Sequence, residues 1–182
     1  MEVNRLTTRE ARKREPALSP ALAGAVEIIG DHQVQPRLFA QALLDACANA
    51  GATIVQEAVT NVDDVDADQV LIAAGLGAAE ITGWFTGVNP LELRPVYGDI
   101  LHVRVPKHQF PLLDRVVRGF VEDRPIYLIP RGDGTLTIGA TTREDGRAEP
   151  QVQGVYQLLR DAIEVCPALE ECDFLEADAG AR

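Results

Sequence analysis

Residues 126–130 and 135–140 are two apolar, strand-like runs, and they flank Arg131-Gly132-Asp133-Gly134. A Gly-Asp-Gly turn between such runs predicts a β-hairpin, because these residues tolerate the backbone angles of tight turns. Leu136 and Ile138 alternate with Thr135 and Thr137, so one face of the second strand is apolar. Upstream, Leu101, Val103 and Val105 alternate with His102 and Arg104, which predicts another half-buried strand. Residues 116–121 form a further strand candidate, placed as a partner of that one. The chain from residue 96 to 140 therefore reads as an antiparallel sheet.

Helical periodicity brackets this region. Phe39, Leu43, Ala46, Cys47 and Ala50 share one helical face between Pro36 and Gly51, a start residue and a stop residue. Val155, Leu158, Leu159, Ala162, Ile163 and Cys166 form a second stripe, ended by Pro167. Residues 7–14 predict a short exposed helix whose start lacks a capping glutamate when Thr8 is taken as the cap. Residues 25–29 read as a strand closed by Gly30, residues 53–55 and 58–62 as short strands, and residues 173–178 as a last one. Residues 70–75, Val-Leu-Ile-Ala-Ala-Gly, are apolar without alternation. Such a run predicts a strand buried on both faces of a parallel sheet, followed by a short helix over 78–85. The expected fold class is α+β: an antiparallel, mixed sheet with helices, plus a remnant of an α/β domain.

The charge pattern narrows function. With 28 acidic and 17 basic residues the net charge is −11, so nucleic acid and anionic membrane surfaces are poor partners. No run of about 18 apolar residues exists to span a bilayer, and the charged N-terminus does not read as a signal peptide. Three cysteines, Cys47, Cys166 and Cys172, make no CxxC pair. They read as reduced thiols of a cytoplasmic protein, with Cys47 and Cys166 packed on helical faces. The histidines His32, His102 and His108 show no metal spacing, and His102 reads as a surface histidine. Asp63, Asp64, Asp66 and Asp68 read as a solvated turn, without the glycine and closing glutamate of an EF-hand loop. Ser19, the single serine, lies between prolines and has no nucleophile elbow. What remains are groups suited to a carboxylate: Tyr127 before the hairpin turn, Arg131 in it, and Arg182 after Ala179-Gly180-Ala181.

Several segments together resemble the D-amino-acid-oxidase-type flavoproteins. Val70 to Gly75 resembles their "VVxAAG" strand, and Pro95-Val96-Tyr97-Gly98-Asp99 their "PVxGE" turn. Tyr127-Leu128-Ile129-Pro130-Arg131 with Gly139-Ala140-Thr141 resembles "YLVPR…GAT". Residues 10–18 resemble the lead-in to the substrate domain, Gln33-Val34-Gln35-Pro36-Arg37 a helix start, and Ala179-Gly180-Ala181-Arg182 "AGLR". The bacterial glycine oxidases of thiamine biosynthesis are the nearest subgroup in this resemblance.

The resemblance implies an FAD-dependent oxidation of glycine or another small amino acid to an imine, then glyoxylate, with hydrogen peroxide as co-product. It implies substrate contacts from Arg182 and Tyr127 to the carboxylate and from Thr142 to the pocket. It implies FAD contacts from Val59, Ala74 and Gly75. It divides the chain into an FAD-domain-associated segment, 1–75, and a substrate-binding sheet domain, 76–182. No GxGxxG motif is present, so the chain is expected to be a central fragment that does not retain FAD alone and self-associates through its exposed interface. Asp178 stands where the family has tryptophan, Ala181 where it has leucine, and Tyr97 where it has a basic residue. Residues 62–69 are shorter than the family hairpin. The rival expectations are an inactive remnant and a module that binds a small ligand or a protein.

Overall fold

The structure, a computed structural model, describes residues 2–84 and 86–181. Contacts divide them into two compact units. One joins the segment ending at Gln33 to Val96–Ala181, and the other is Val34–Pro95. This division departs from the expected boundary at residue 75, because the first thirty-odd residues pack with the sheet.

The first unit is built on a five-stranded antiparallel sheet. Its strands are β3 (Tyr97–Arg104), β4 (Val117–Val121), β5 (Arg124–Pro130), β6 (Thr135–Gly139) and β7 (Asp173–Ala181), in the order β4-β5-β6-β3-β7. The β5–β6 hairpin forms as its turn predicts. The Asp133 carboxylate accepts from the Thr135 amide and hydroxyl at 3.0 and 2.7 Å, and the Arg131 amide donates to Thr135 at 2.9 Å. The 116–121 candidate does form a strand, over Val117–Val121, but β4 pairs with β5 rather than with β3. The tight turn at Glu122–Asp123, both with positive φ, makes the local partner cheaper to reach than a distant one.

Alternation sends Leu101, Val103, Ile126, Leu128, Leu136 and Ile138 to one face. Helix α3 (Val152–Val165) covers this face with Leu158, Ala162 and Val165, and buried Cys166 follows it. Burying a large aliphatic side chain is worth about 1.5–3 kcal/mol, so each of these residues stabilises the packing of α3 on the sheet.

The N-terminal segment contributes a two-stranded antiparallel sheet, β1 (Glu2–Leu6) with β2 (Ala25–Ile29), around helix α1 (Thr8–Arg14). Strand β1 escapes sequence reading because its two apolar residues, Val3 and Leu6, lie three apart and show no alternation. The start of α1 is a correction: Thr7, one residue earlier than expected, caps it, with Glu10 closing a full capping box. Glu15, buried between the helix and the sheet region, ties both together. It accepts from the Asp114 amide at 3.0 Å and pairs with Arg115 at 3.0 Å.

The second unit departs most from expectation. Helix α2 (Pro36–Asn49) forms as its periodicity predicts, yet Phe39, Leu43 and Cys47 are exposed, so Cys47 is not a packed thiol. Residues 53–55 and 58–62 form no strand; a single parallel bridge joins Asn61 to Thr82. Residues 70–74 are likewise not a strand, and Leu71 is 92% exposed. A parallel strand needs neighbours on both sides, and among the described residues this run has none. The expected helix over 78–85 is instead a 3-10 helix at Gly75–Glu80; Phe85 lies outside the described residues.

Candidate functional site

The second face of the five-stranded sheet carries the chemistry. Tyr127 on β5 stands opposite Arg118 of β4 and Gly139 of β6. The row continues through Ile100 of β3 to Asp178 of β7. Tyr127 is half-buried, and its phenol lies directly over Gly139: a Cβ there would overlap the hydroxyl and ring. Glycine at 139 is thus what lets the phenol lie flat across the strand. The sequence reading misses this residue's role, although an isolated glycine opposite a strand tyrosine is its visible signal.

Thr142 is exposed, three residues past Gly139, in a segment held by its neighbours. Arg143 exchanges two backbone hydrogen bonds with Tyr97, both 2.8 Å. Its guanidinium grips the fully buried Asp99 at 2.7 and 3.2 Å and reaches Asp145 at 2.9 Å. The Thr141 hydroxyl donates to Asp99 at 2.9 Å and accepts from the Asp99 amide at 2.8 Å. Hydrogen bonding to Asp99 raises the Arg143 pKa. The Arg147 amide, then the Gln151, Arg147 and Arg143 side chains, hold Asp145 well below the usual carboxylate range. The "PVYGD" turn is therefore an anchor for the Thr141–Arg143 segment.

Arg131 sits at the hairpin mouth, where its guanidinium donates to the Gln33 side chain, and burial lowers its pKa. His102 is not the surface histidine expected. Its side chain is 22% exposed, its Nδ1 lies 3.2 Å from the Thr137 hydroxyl, and its Nε2 lies 3.7 Å from Asp178.

In the second unit Val59, Ala74 and Gly75 are all exposed. Ala74 (φ −90°, ψ 11°) precedes Gly75 (φ +56°) at the start of the 3-10 helix. A right-handed residue followed by a left-handed one turns successive amides to one side, a concavity suited to an anion. These residues fit backbone contact with a phosphate-bearing cofactor such as FAD, but they are not a glycine-rich cradle. The structure thus brings Tyr127 and Thr142 into one unit and Val59, Ala74 and Gly75 into the other. Arg182, the expected carboxylate ligand, lies outside the described residues.

The antiparallel sheet with a tyrosine across its second face agrees with the FAD-linked oxidoreductase class that the sequence motifs resemble. The profile of the FAD dependent oxidoreductase (DAO) family matches residues 1–182, and the chain belongs to that family. Glycine oxidase of Geobacillus kaustophilus is 34% identical over 97% of this chain and 49% of its own length. Its crystal structure superposes with a TM-score of 0.79 at 31% identity, covering 100% of this chain and 51% of that one. The bifunctional protein ThiO/ThiG of Synechocystis is 33% identical over 87% of this chain and 25% of its own length. Iminodiacetate oxidase of Chelativorans superposes with a TM-score of 0.81 at 26% identity, over 100% of this chain and 51% of that one. The chain spans about half the length of the glycine oxidase it matches. Among the described residues no helix is long and apolar enough to cross a membrane.

Proposed function

We propose that this chain is the substrate-binding portion of an FAD-dependent oxidase acting on glycine or a similarly small amino acid, in the supply of thiamine's thiazole. The observation that carries the reading is Tyr127 over Gly139, in a chain 34% identical to a glycine oxidase. When bound, FAD would supply the oxidising chemistry, as the acceptor for hydride from the carbon next to the amine. The chain's own residues position the substrate. Tyr127 donates its hydroxyl proton to the carboxylate, Arg182 adds a two-pronged ion pair, and Thr142 lines the pocket. Backbone at Val59, Ala74 and Gly75 touches the cofactor. With no glycine-rich phosphate loop in its sequence, this chain alone does not retain FAD.

The test is a chimera in which this chain replaces the matching half of Geobacillus kaustophilus glycine oxidase. Peroxide release is followed with glycine, sarcosine, D-alanine and iminodiacetate. Turnover of glycine supports the reading, and a folded, flavin-loaded but inert chimera refutes it.

A second reading has one observation in its favour. Leu38, Phe39, Leu43 and Leu44 of α2 are all exposed, and apolar patches of this kind favour association. In that reading the chain is a non-catalytic binding module or a self-associating remnant. Sedimentation of the isolated chain, with a concentration-dependent mass, supports it.

A further inference from the structure

The second face of the sheet holds a cluster that the oxidase reading does not use. His102 of β3 stands opposite Glu176 of β7, and Asp178 lies two residues further along β7 on the same face. One ligand atom from each of these three side chains lies within 4.8 Å of the other two. On the far side of His102, the Thr137 hydroxyl of β6 meets the imidazole Nδ1 at 3.2 Å.

We propose that His102, Glu176 and Asp178 bind one divalent transition-metal ion of the zinc class. Two features argue for it. A metal-binding histidine is commonly fixed through its other ring nitrogen by a hydrogen-bond partner, and Thr137 does this here, leaving Nε2 3.7 Å from Asp178. An ion at the centre of three donors 4.8 Å apart would sit about 2.8 Å from each. Bonds of about 2.0–2.2 Å then need an inward shift of under 1 Å per ligand, which the exposed Glu176 side chain and the 40% exposed Asp178 side chain supply by rotation. The imidazole ligand selects zinc-like ions over magnesium or calcium, which prefer all-oxygen sites. Solvent access leaves a fourth position for water. Asp178 also ends the cross-strand row that begins near Tyr127, so the ion would lie a few strands from the proposed substrate hollow without belonging to it.

The test uses the full chain carrying Cys47→Ser, which removes the one exposed thiol. Metal-stripped protein is titrated calorimetrically with zinc chloride, and the cobalt spectrum is recorded. Magnesium chloride serves as a control. One zinc per chain is expected, with a cobalt spectrum free of thiolate charge transfer. His102→Ala and Asp178→Asn should each weaken zinc about tenfold or more, and Thr137→Val up to about tenfold. Glu176→Gln, at an exposed position, keeps the comparison informative if another variant unfolds. Four results would overturn the proposal: no saturable zinc binding at about 100 μM, affinity unchanged in these variants, equal affinity for magnesium, or a thiolate signature in the cobalt spectrum.

Discussion

Gly139 and Tyr127 form one device split between two strands, and neither is informative alone. The phenol lies where any side chain at 139 would be. Gly139→Ala therefore displaces the ring, and in the glycine oxidase chimera it should raise KM for glycine several-fold while the sheet stays folded by circular dichroism. An unchanged KM would separate Tyr127 from the substrate. The thiols offer a second check at this scale. Burial pushes Cys166 up to about 11, so it stays protonated and shielded at neutral pH, whereas Cys47 is exposed. Iodoacetamide at pH 8 should label Cys47 quickly and Cys166 only on unfolding, as peptide mass mapping will show. Sequence periodicity places both thiols on apolar stripes. It holds for Cys166, where α3 meets a sheet, and fails for Cys47, whose stripe on α2 is left exposed among the described residues.

At the scale of elements, the Asp99–Arg143 pair holds the segment that carries Thr142. Removing one partner of a buried ion pair costs about 3–5 kcal/mol. Asp99→Ala should lower the urea midpoint accordingly, while Thr7→Ala, which removes only a helix cap, should cost about 1 kcal/mol. Equal losses would contradict the burial argument, since Asp99 is fully buried and Thr7 lies at an exposed cap. The centre of the antiparallel sheet was legible because β3 and β6 carry their own alternation and the β5–β6 hairpin its own turn, as in Leu136 and Ile138 beyond Asp133. Helix α3 was legible for the same local reason. The 70–75 run misleads because apolarity reports a demand for burial and not the identity of the burying partner. The pairing of β4 with β5, and of His102 with Glu176, depends on register, which no single strand encodes.

For the whole molecule, pH is the informative variable. Asp145 is held below its ordinary value chiefly by the Arg147 amide, and Asp133 chiefly by the Thr135 hydroxyl and amide. Groups depressed in the folded state contribute stability above the unfolded carboxylate pKa of about 3.9, and lose it as pH falls through the lower folded values. The urea midpoint should therefore hold between about pH 5 and 7 and fall below about pH 4. Asp145→Asn should flatten that fall. The family assignment rests on the entire chain, residues 1–182, but the substrate claim rests on one hydroxyl. The deciding measurement is glycine turnover by the chimera with Tyr127 intact and by the same chimera carrying Tyr127→Phe. A lost hydrogen bond to a charged carboxylate is worth about 1.5–3 kcal/mol, so the substitution should raise KM at least about tenfold with kcat largely kept. Identical KM values for the two proteins would contradict the account.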